Sequence, residues 1–218
     1  MAKIKAVLFD NDGTLANTFD AIQESMHFAM NKVLGHDIPD SELLSMVGRP
    51  LADQMETFAD RPDQVEELTQ VYREHNEKDL FERSSAFPGL RQALEDLKGF
   101  GYRMGVVSSK RQALVRGGLK ASGLDSYFEI IHGLEQSERH KPLPDPLLDA
   151  CRAMDLYPYE CIYVGDSPYD LQAAHAADMD CVGVTWGKFF SGSQLVVEEP
   201  NALVTDPSQL VGVIRLLG

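Results

Sequence analysis

The stretch Val7-Leu8-Phe9-Asp10-Asn11-Asp12-Gly13-Thr14-Leu15 decides how this chain is read. It closes an apolar run, Ile4–Phe9, of the kind that is covered on both faces in a parallel sheet. Two carboxylates, Asp10 and Asp12, follow at once. Charge at the end of a buried strand is costly unless something neutralises it, and a bound cation is the natural candidate. Gly13 permits a sharp exit, and Thr14 offers a hydroxyl to cap a turn or bind phosphate. Alone, the segment reads equally well as a strand and an acidic Asp-Gly turn.

Further along, apolar runs alternate with amphipathic ones. Strands are expected at Arg103–Val107, Glu129–His132, Cys161–Val164, Cys181–Val184 and Ala202–Val204. Helices are expected at Leu90–Phe100, Arg111–Ala121, Pro146–Met154, Tyr169–Ala176 and Pro207–Leu217. This is the pattern of an α/β fold with a mostly parallel sheet. One region breaks it. Asn17 to Ser84 carries only helical patterns (Phe19–Leu34, Ser41–Val47, Leu51–Phe58, Pro62–Phe81), punctuated by Pro39, Gly48-Arg49-Pro50 and Arg61-Pro62. A block of roughly 65–70 residues is too long for a simple crossover. We therefore expect a helical cap, residues 17–84, inserted into an α/β core of residues 1–16 and 85–218, with hinges at Ala16–Thr18 and Ser84–Pro88.

In such sheets ligands bind beyond the carboxyl ends of the strands. The first strand delivers Asp10 and Asp12, the second Ser108, Ser109 and Lys110. A loop after the third carries Lys141-Pro142-Leu143-Pro144-Asp145-Pro146, and the fourth leads into Gly165-Asp166-Ser167 and Asp170. Each member has a use in phosphoryl transfer. Asp10, least free to move, is the expected nucleophile, and Asp12 the general acid and then base. Mg²⁺ prefers oxygen ligands, which Asp10, Asp12 (through its carbonyl) and Asp166 could supply. Thr14, Ser108, Ser109 and Lys141 are the phosphate-binding candidates. Asp170 is placed to hold Lys141 or a metal-bound water. Ser167 and Asp170 also read as the cap and first-turn acid of a helix.

The order Asp-x-Asp-Gly-Thr at Asp10–Thr14, a hydroxyl at Ser108, Lys141, then Gly165-Asp166-x-x-x-Asp170 resembles the haloacid dehalogenase superfamily along essentially the whole chain. The resemblance implies a Rossmann-like core with that family's helical C1 cap, and Mg²⁺-dependent hydrolysis through an aspartyl phosphate. Lys141–Pro146 and Val184-Thr185-Trp186-Gly187 are most similar to phosphoglycolate phosphatases and relatives, pyrophosphatases included. Departures are Ser108-Ser109 where relatives often show Thr-Asn, Asn17 where many carry aspartate, and Asn11 between the aspartates. Asp12 argues against halide displacement, which proceeds without a second aspartate. Phosphonate cleavage uses a cap lysine, and neither Lys32 nor Lys78 belongs to a loop expected to face the site. Mutases usually carry a histidine soon after the first motif. Asn17–Ala21 has none, and His27 is expected on the helix surface. Hydrolysis of a small phosphomonoester leads, ahead of a pyrophosphatase or a β-phosphoglucomutase-like mutase. A phospho-aspartate switch or a binding scaffold is the non-enzyme alternative.

Substrate choice is expected from the cap. Arg49 reads either as a ligand for a carboxylate or second phosphate or as a solvated turn residue. Trp186 and Lys188 read as entrance or packing residues, and His140 as a weaker candidate. A net charge of −14 argues against nucleic acid and anionic membranes as partners, and leaves room for a small anionic phosphorylated metabolite. Apolar runs are too short for a membrane span. Cys151, Cys161 and Cys181 read as buried thiols of a reducing compartment. Met1–Lys5 runs straight into the first strand without room for a leader. The expectation is a cytoplasmic monomer or weak dimer.

Overall fold

A computed structural model of the chain describes residues 4–78 and 84–218. Its centre is a six-stranded sheet in the order β5-β4-β1-β6-β7-β8, with every neighbouring pair parallel. The strands are β1 (Ala6–Phe9), β4 (Arg103–Val107), β5 (Ile130–His132), β6 (Cys161–Gly165), β7 (Asp180–Val184) and β8 (Ala202–Val204). Ile4 and Lys5 lie ahead of β1 rather than inside it, although Lys5 N–H still bonds the Glu160 carbonyl at 2.7 Å. Numbered by chain order within this sheet, the strands run 3-2-1-4-5-6, the Rossmann arrangement, whose order reverses between β1 and β6. The crevice at that reversal is where Asp10 and Asp166 emerge.

Period-two alternation explains why β1 is apolar throughout. Ala6 and Leu8 face one core, Val7 and Phe9 the other, and all are buried. Helices α5 (Leu90–Gly99), α6 (Gln112–Ala121) and α10 (Leu210–Leu217) pack on the Val7 side, while α7 (Asp145–Ala153) and α8 (Pro168–Ala176) pack on the Leu8 side. A short α9 (Gly192–Val196) joins β7 to β8. The final helix starts at Leu210, later than expected, because Pro207–Gln209 forms a separate 3₁₀ turn capped by Asp206.

Between β1 and β4 lie α1 (Phe19–Val33), α2 (Asp40–Leu43), α3 (Leu51–Phe58) and α4 (Gln64–Asn76). They contain no strand among the described residues, as the sequence leads one to expect. α2 is shorter than the expected 41–47, since the chain turns at Leu44–Met46 to bury Leu43, Leu44 and Val47. α4 begins two residues after Pro62, where the Gln64 side chain accepts from Arg61 N–H, and the far end of the expected helix, Phe81, is outside the described residues. The two connections to the core pair as a small antiparallel ribbon, β2 (Ala16–Asn17) with β3 (Ser85–Ala86), which the sequence did not disclose.

His27 on α1 contacts Asp37 at 2.5 Å and Asp40 at 2.6 Å, tying the loop before α2 to the helix. The hydrogen bond to Asp37, with Asp40 adding to it, raises the imidazole pKa and lowers that of Asp37. A histidine raised in the folded state contributes stability that is full below its unfolded pKa of about 6.5 and is lost as pH rises through the folded value. The melting temperature of His27→Gln is therefore expected below wild type near pH 5.5–6 and to converge on it at alkaline pH. A gap independent of pH would remove the charge from this account.

Candidate active site

Phe9 is in register with Val106 on one side and Val164 on the other, so Asp10, Val107 and Gly165 end their strands level. Asp10 N–H bonds the Val164 carbonyl at 2.9 Å, which holds the residue rigidly. The chain then turns at Gly13 with φ +81°, and a Cβ there would meet Asp166 Oδ2 at 2.0 Å. Glycine is required on both counts.

Lys141 is the hub. Its Nζ donates to Asp10 Oδ1 at 2.9 Å, Asp170 Oδ1 at 2.6 Å and the Tyr163 hydroxyl at 3.1 Å, and its side chain is 1% exposed. Burial alone would pull the ammonium pKa down, but the charges of Asp10 and Asp170 outweigh it and hold the lysine well above its usual range. Tyr163, the residue sequence reasoning missed, donates to the Val107 carbonyl at 2.8 Å and so ties Lys141 to the strand end that carries Ser108. Its signal was a tyrosine two places ahead of Gly165-Asp166 in a fully buried strand, where a hydroxyl needs a partner. Asp170 serves both readings at once. Oδ1 takes Lys141, while Oδ2 accepts from Ser167 N–H at 3.0 Å and Ser167 Oγ at 2.6 Å, closing the capping box of α8.

Asp166 is buried, and Thr14 Oγ1 donates to its Oδ1 at 3.0 Å. Thr14, expected on phosphate, gives its hydroxyl proton to Asp166 in this structure and so orients that carboxylate. Burial, reinforced by the charges of Asp170 and Asp10, drives the Asp166 carboxyl well above its usual pKa. Burial also lifts Asp10, against the pull of Lys141 and with a push from Asp170, to about 7. Oxygens of Asp10, Asp166 and Asp170 lie within 4.8 Å of one another. Both Asp170 oxygens are committed, so a cation would be held by Asp10 and Asp166. Buried carboxylates in excess of their single ammonium, all hard oxygen donors, fit a divalent cation such as Mg²⁺.

Asp12 faces the same space, with Lys110 Nζ at 3.0 and 3.2 Å from its two oxygens. Lys110, one of the polar residues expected at the end of the second strand, is thus brought onto Asp12. Ser108 is buried, and its Oγ accepts from Lys110 N–H at 3.3 Å. Ser109 also lines the cavity, but its hydroxyl donates to the Gly48 carbonyl of the helical block at 2.7 Å. That bond spends its proton on the cap rather than on a phosphate. Gly48 (φ +105°) closes tightly there, a Cβ meeting Ser167 Oγ at 2.6 Å. Arg111 with Glu77 and Tyr169 Oη to the Ser45 carbonyl at 3.0 Å are further contacts between helical block and core.

The cavity, partly open to solvent, has Asp10, Asp12, Asp166 and Ser108 on its floor and Arg49, Gln54, Tyr72, Arg73 and Asn76 on its roof. Arg49 therefore faces the site, with one nitrogen on Asp53 at 3.1 Å. Trp186 is a packing residue, donating to the Thr14 carbonyl at 3.0 Å beside Phe87, and Lys188 is exposed away from the cavity lining. His140 does not line the cavity either. The three cysteines are free and buried.

This sheet order and this buried Asp–Lys–Asp cluster place the chain among α/β proteins with their site at the strand ends. The chain matches the haloacid dehalogenase-like hydrolase family over residues 7–184, and it belongs to that family. It is 37% identical over 213 residues to "Putative pyrophosphatase PpaX" of Caldanaerobacter subterraneus subsp. tengcongensis, covering 98% of this chain and 96% of that protein. A Clostridium perfringens protein of the same name is 32% identical over 214 residues, covering 98% and 99%. Among solved structures it is similar to "a predicted phosphatase" from Clostridium acetobutylicum (TM-score 0.88, 26% identity, 99% and 100% covered). It is also similar to "a predicted phosphoglycolate phosphatase" from Haemophilus somnus (TM-score 0.87, 25% identity, 98% and 99% covered).

Proposed function

We propose that this hydrolase is a Mg²⁺-dependent phosphatase acting on a small anionic phosphomonoester, of the phosphoglycolate kind, through an aspartyl phosphate on Asp10. The observation that carries this reading is Lys141, which fixes Asp10 through Oδ1 and leaves Oδ2 without a hydrogen bond among the described residues, on the floor of a cavity shared with Asp12. An Asp10 oxygen attacks phosphorus as the ester oxygen departs with the proton of Asp12. Asp12 then takes a proton from the water that splits the acyl phosphate. Ser108 holds a phosphoryl oxygen, while Lys141, its three protons given to Asp10, Asp170 and Tyr163, positions the nucleophile from outside the cavity lining. Mg²⁺ held by Asp10 and Asp166 supplies charge neutralisation on the transferring group. Residues 17–84 act as the cap that excludes water, with the paired segments β2 and β3 as its hinge. No described helix is long and apolar enough to cross a membrane. A cytoplasmic monomer or weak dimer remains the expectation.

Pyrophosphate hydrolysis is the second reading, favoured by the names of the relatives. The cavity speaks for a carbon-bearing leaving group instead, because Ile22, Val47, Leu51, Leu114 and Leu134 line it and would lie bare against a second phosphate. Phosphate release from phosphoglycolate, pyrophosphate, sugar phosphates, nucleoside monophosphates and an aryl phosphate, with Mg²⁺ or a chelator, separates the two. Preference for pyrophosphate over every ester would decide for the second. Arg49→Ala is expected to raise KM for anionic leaving groups about tenfold and to change a neutral aryl phosphate far less. Equal effects on both would return Arg49 to a structural role.

A further inference from the structure

The roof of the cavity carries buried polar groups without a partner among the described residues. Gln54 on α3 is 7% exposed, and its Nε2 donates to the Arg49 carbonyl at 2.8 Å. That bond sets the orientation of the amide, so the atom left over is the acceptor, Oε1, and it has no hydrogen-bond partner among the described residues. Buried acceptors are almost always satisfied, and one that is not marks a place where a donor arrives. Arg49 Nε is likewise buried and unpartnered. The other cations of the lining divide cleanly. Lys110 is engaged by Asp12 and Arg111 by Glu77, whereas Arg73 on α4, half-buried, has no hydrogen bond or ion pair among the described residues.

We infer that the substrate carries, beside the ester oxygen, both an anionic group, received by Arg73 and Arg49 Nε, and a free hydroxyl that donates to Gln54 Oε1: the monophosphate of a dihydroxy acid. This rests on the phosphatase reading and narrows it. Phosphoglycolate and an aryl phosphate lack the donor, and neither satisfies Gln54. A site built around a buried acceptor discriminates strongly against an analogue that cannot bond it.

The test uses matched compounds on the full chain with Mg²⁺. Phosphoglycerate and its deoxy analogue, phosphooxypropionate, differ only in the hydroxyl, and phosphoglycerate and glycerol phosphate differ chiefly in the carboxylate. Wild type is expected to favour phosphoglycerate over the deoxy compound by at least about tenfold in kcat/KM. Gln54→Met, similar in size but without the acceptor, brings that ratio close to one. Arg73→Gln shrinks the ratio of phosphoglycerate to glycerol phosphate instead. A wild-type ratio near one, a ratio that Gln54→Met leaves unmoved, or a preference for pyrophosphate over every organic ester overturns the inference. If Gln54→Met melts far below wild type, the wild-type ratio decides alone. Calorimetric binding to Asp10→Asn keeps the two readings apart. Absence of phosphate release from every compound would defeat the phosphatase reading, while tighter binding of phosphoglycerate than of the deoxy analogue would still uphold the recognition, and equal binding would end it.

Discussion

Asp10→Asn is expected to abolish phosphate release, by at least about three orders of magnitude in kcat, while the protein stays folded. The side chain sits where β1 ends, its backbone pinned to Val164 and one oxygen pinned by Lys141, so an isosteric amide keeps the shape and loses only the nucleophile. Stability points the other way from activity. Burial holds the Asp10 carboxyl at about 7, which means the charged form is costly in the fold. A raised carboxyl favours folding least at pH values above its folded pKa, so replacing it by a neutral amide is expected to leave the melting temperature at pH 8 unchanged or higher in metal-free protein. Lys141 keeps Asp170 as its partner throughout. Residual turnover near wild type would exclude the aspartyl phosphate, and a collapse in melting temperature would make the activity loss uninformative about chemistry.

The largest expected effect on stability comes from Lys141→Met. The ammonium is a fully buried counter-charge for Asp10 and Asp170, and removing one partner of such a cluster costs about 3–5 kcal/mol. In a chain of this size that corresponds to roughly 6–20 °C in melting temperature. The deficit has a direction with pH. Without the lysine the Asp10 carboxyl rises further and folds best when protonated, so the loss is expected to be smaller near pH 5.5 and to grow toward pH 8. Added Mg²⁺ is expected to recover part of it by supplying positive charge to Asp10 and Asp166. Melting curves of wild type and variant across that pH range, with and without the ion, are the measurement. A variant within a degree of wild type throughout would mean that Lys141 is not what neutralises the cluster.

Much of the site was legible because strand ends are legible. In a parallel sheet whose strands are buried on both faces, the first polar residue after each apolar run must emerge at the same edge, and Asp10, Ser108 and Asp166 do. The ambiguity over Ser167 and Asp170 dissolved because a carboxylate has two oxygens, one for the helix cap and one for Lys141. The partners that Thr14 and Ser109 take in this structure were not legible, for a shared reason. A hydroxyl advertises a proton but not its recipient, and the recipients here, Asp166 and the Gly48 carbonyl, are 152 and 61 residues away. The β2–β3 ribbon was unreadable because two-residue strands carry no periodicity.

Composition and local pattern by themselves determined the alternating α/β core, the helical insertion after the first strand, and the set of reactive groups at the strand ends, since each follows from interactions within a few residues of chain. Only the tertiary structure decided that Tyr163 braces Lys141, that Lys110 holds Asp12, that Trp186 packs instead of gating, and that Gln54, Arg49 and Arg73 form the roof above the aspartates. Those pairings join segments distant in sequence, and what selects them is the desolvation of charge and the satisfaction of buried polar atoms, which act only once the helical block has closed over the sheet.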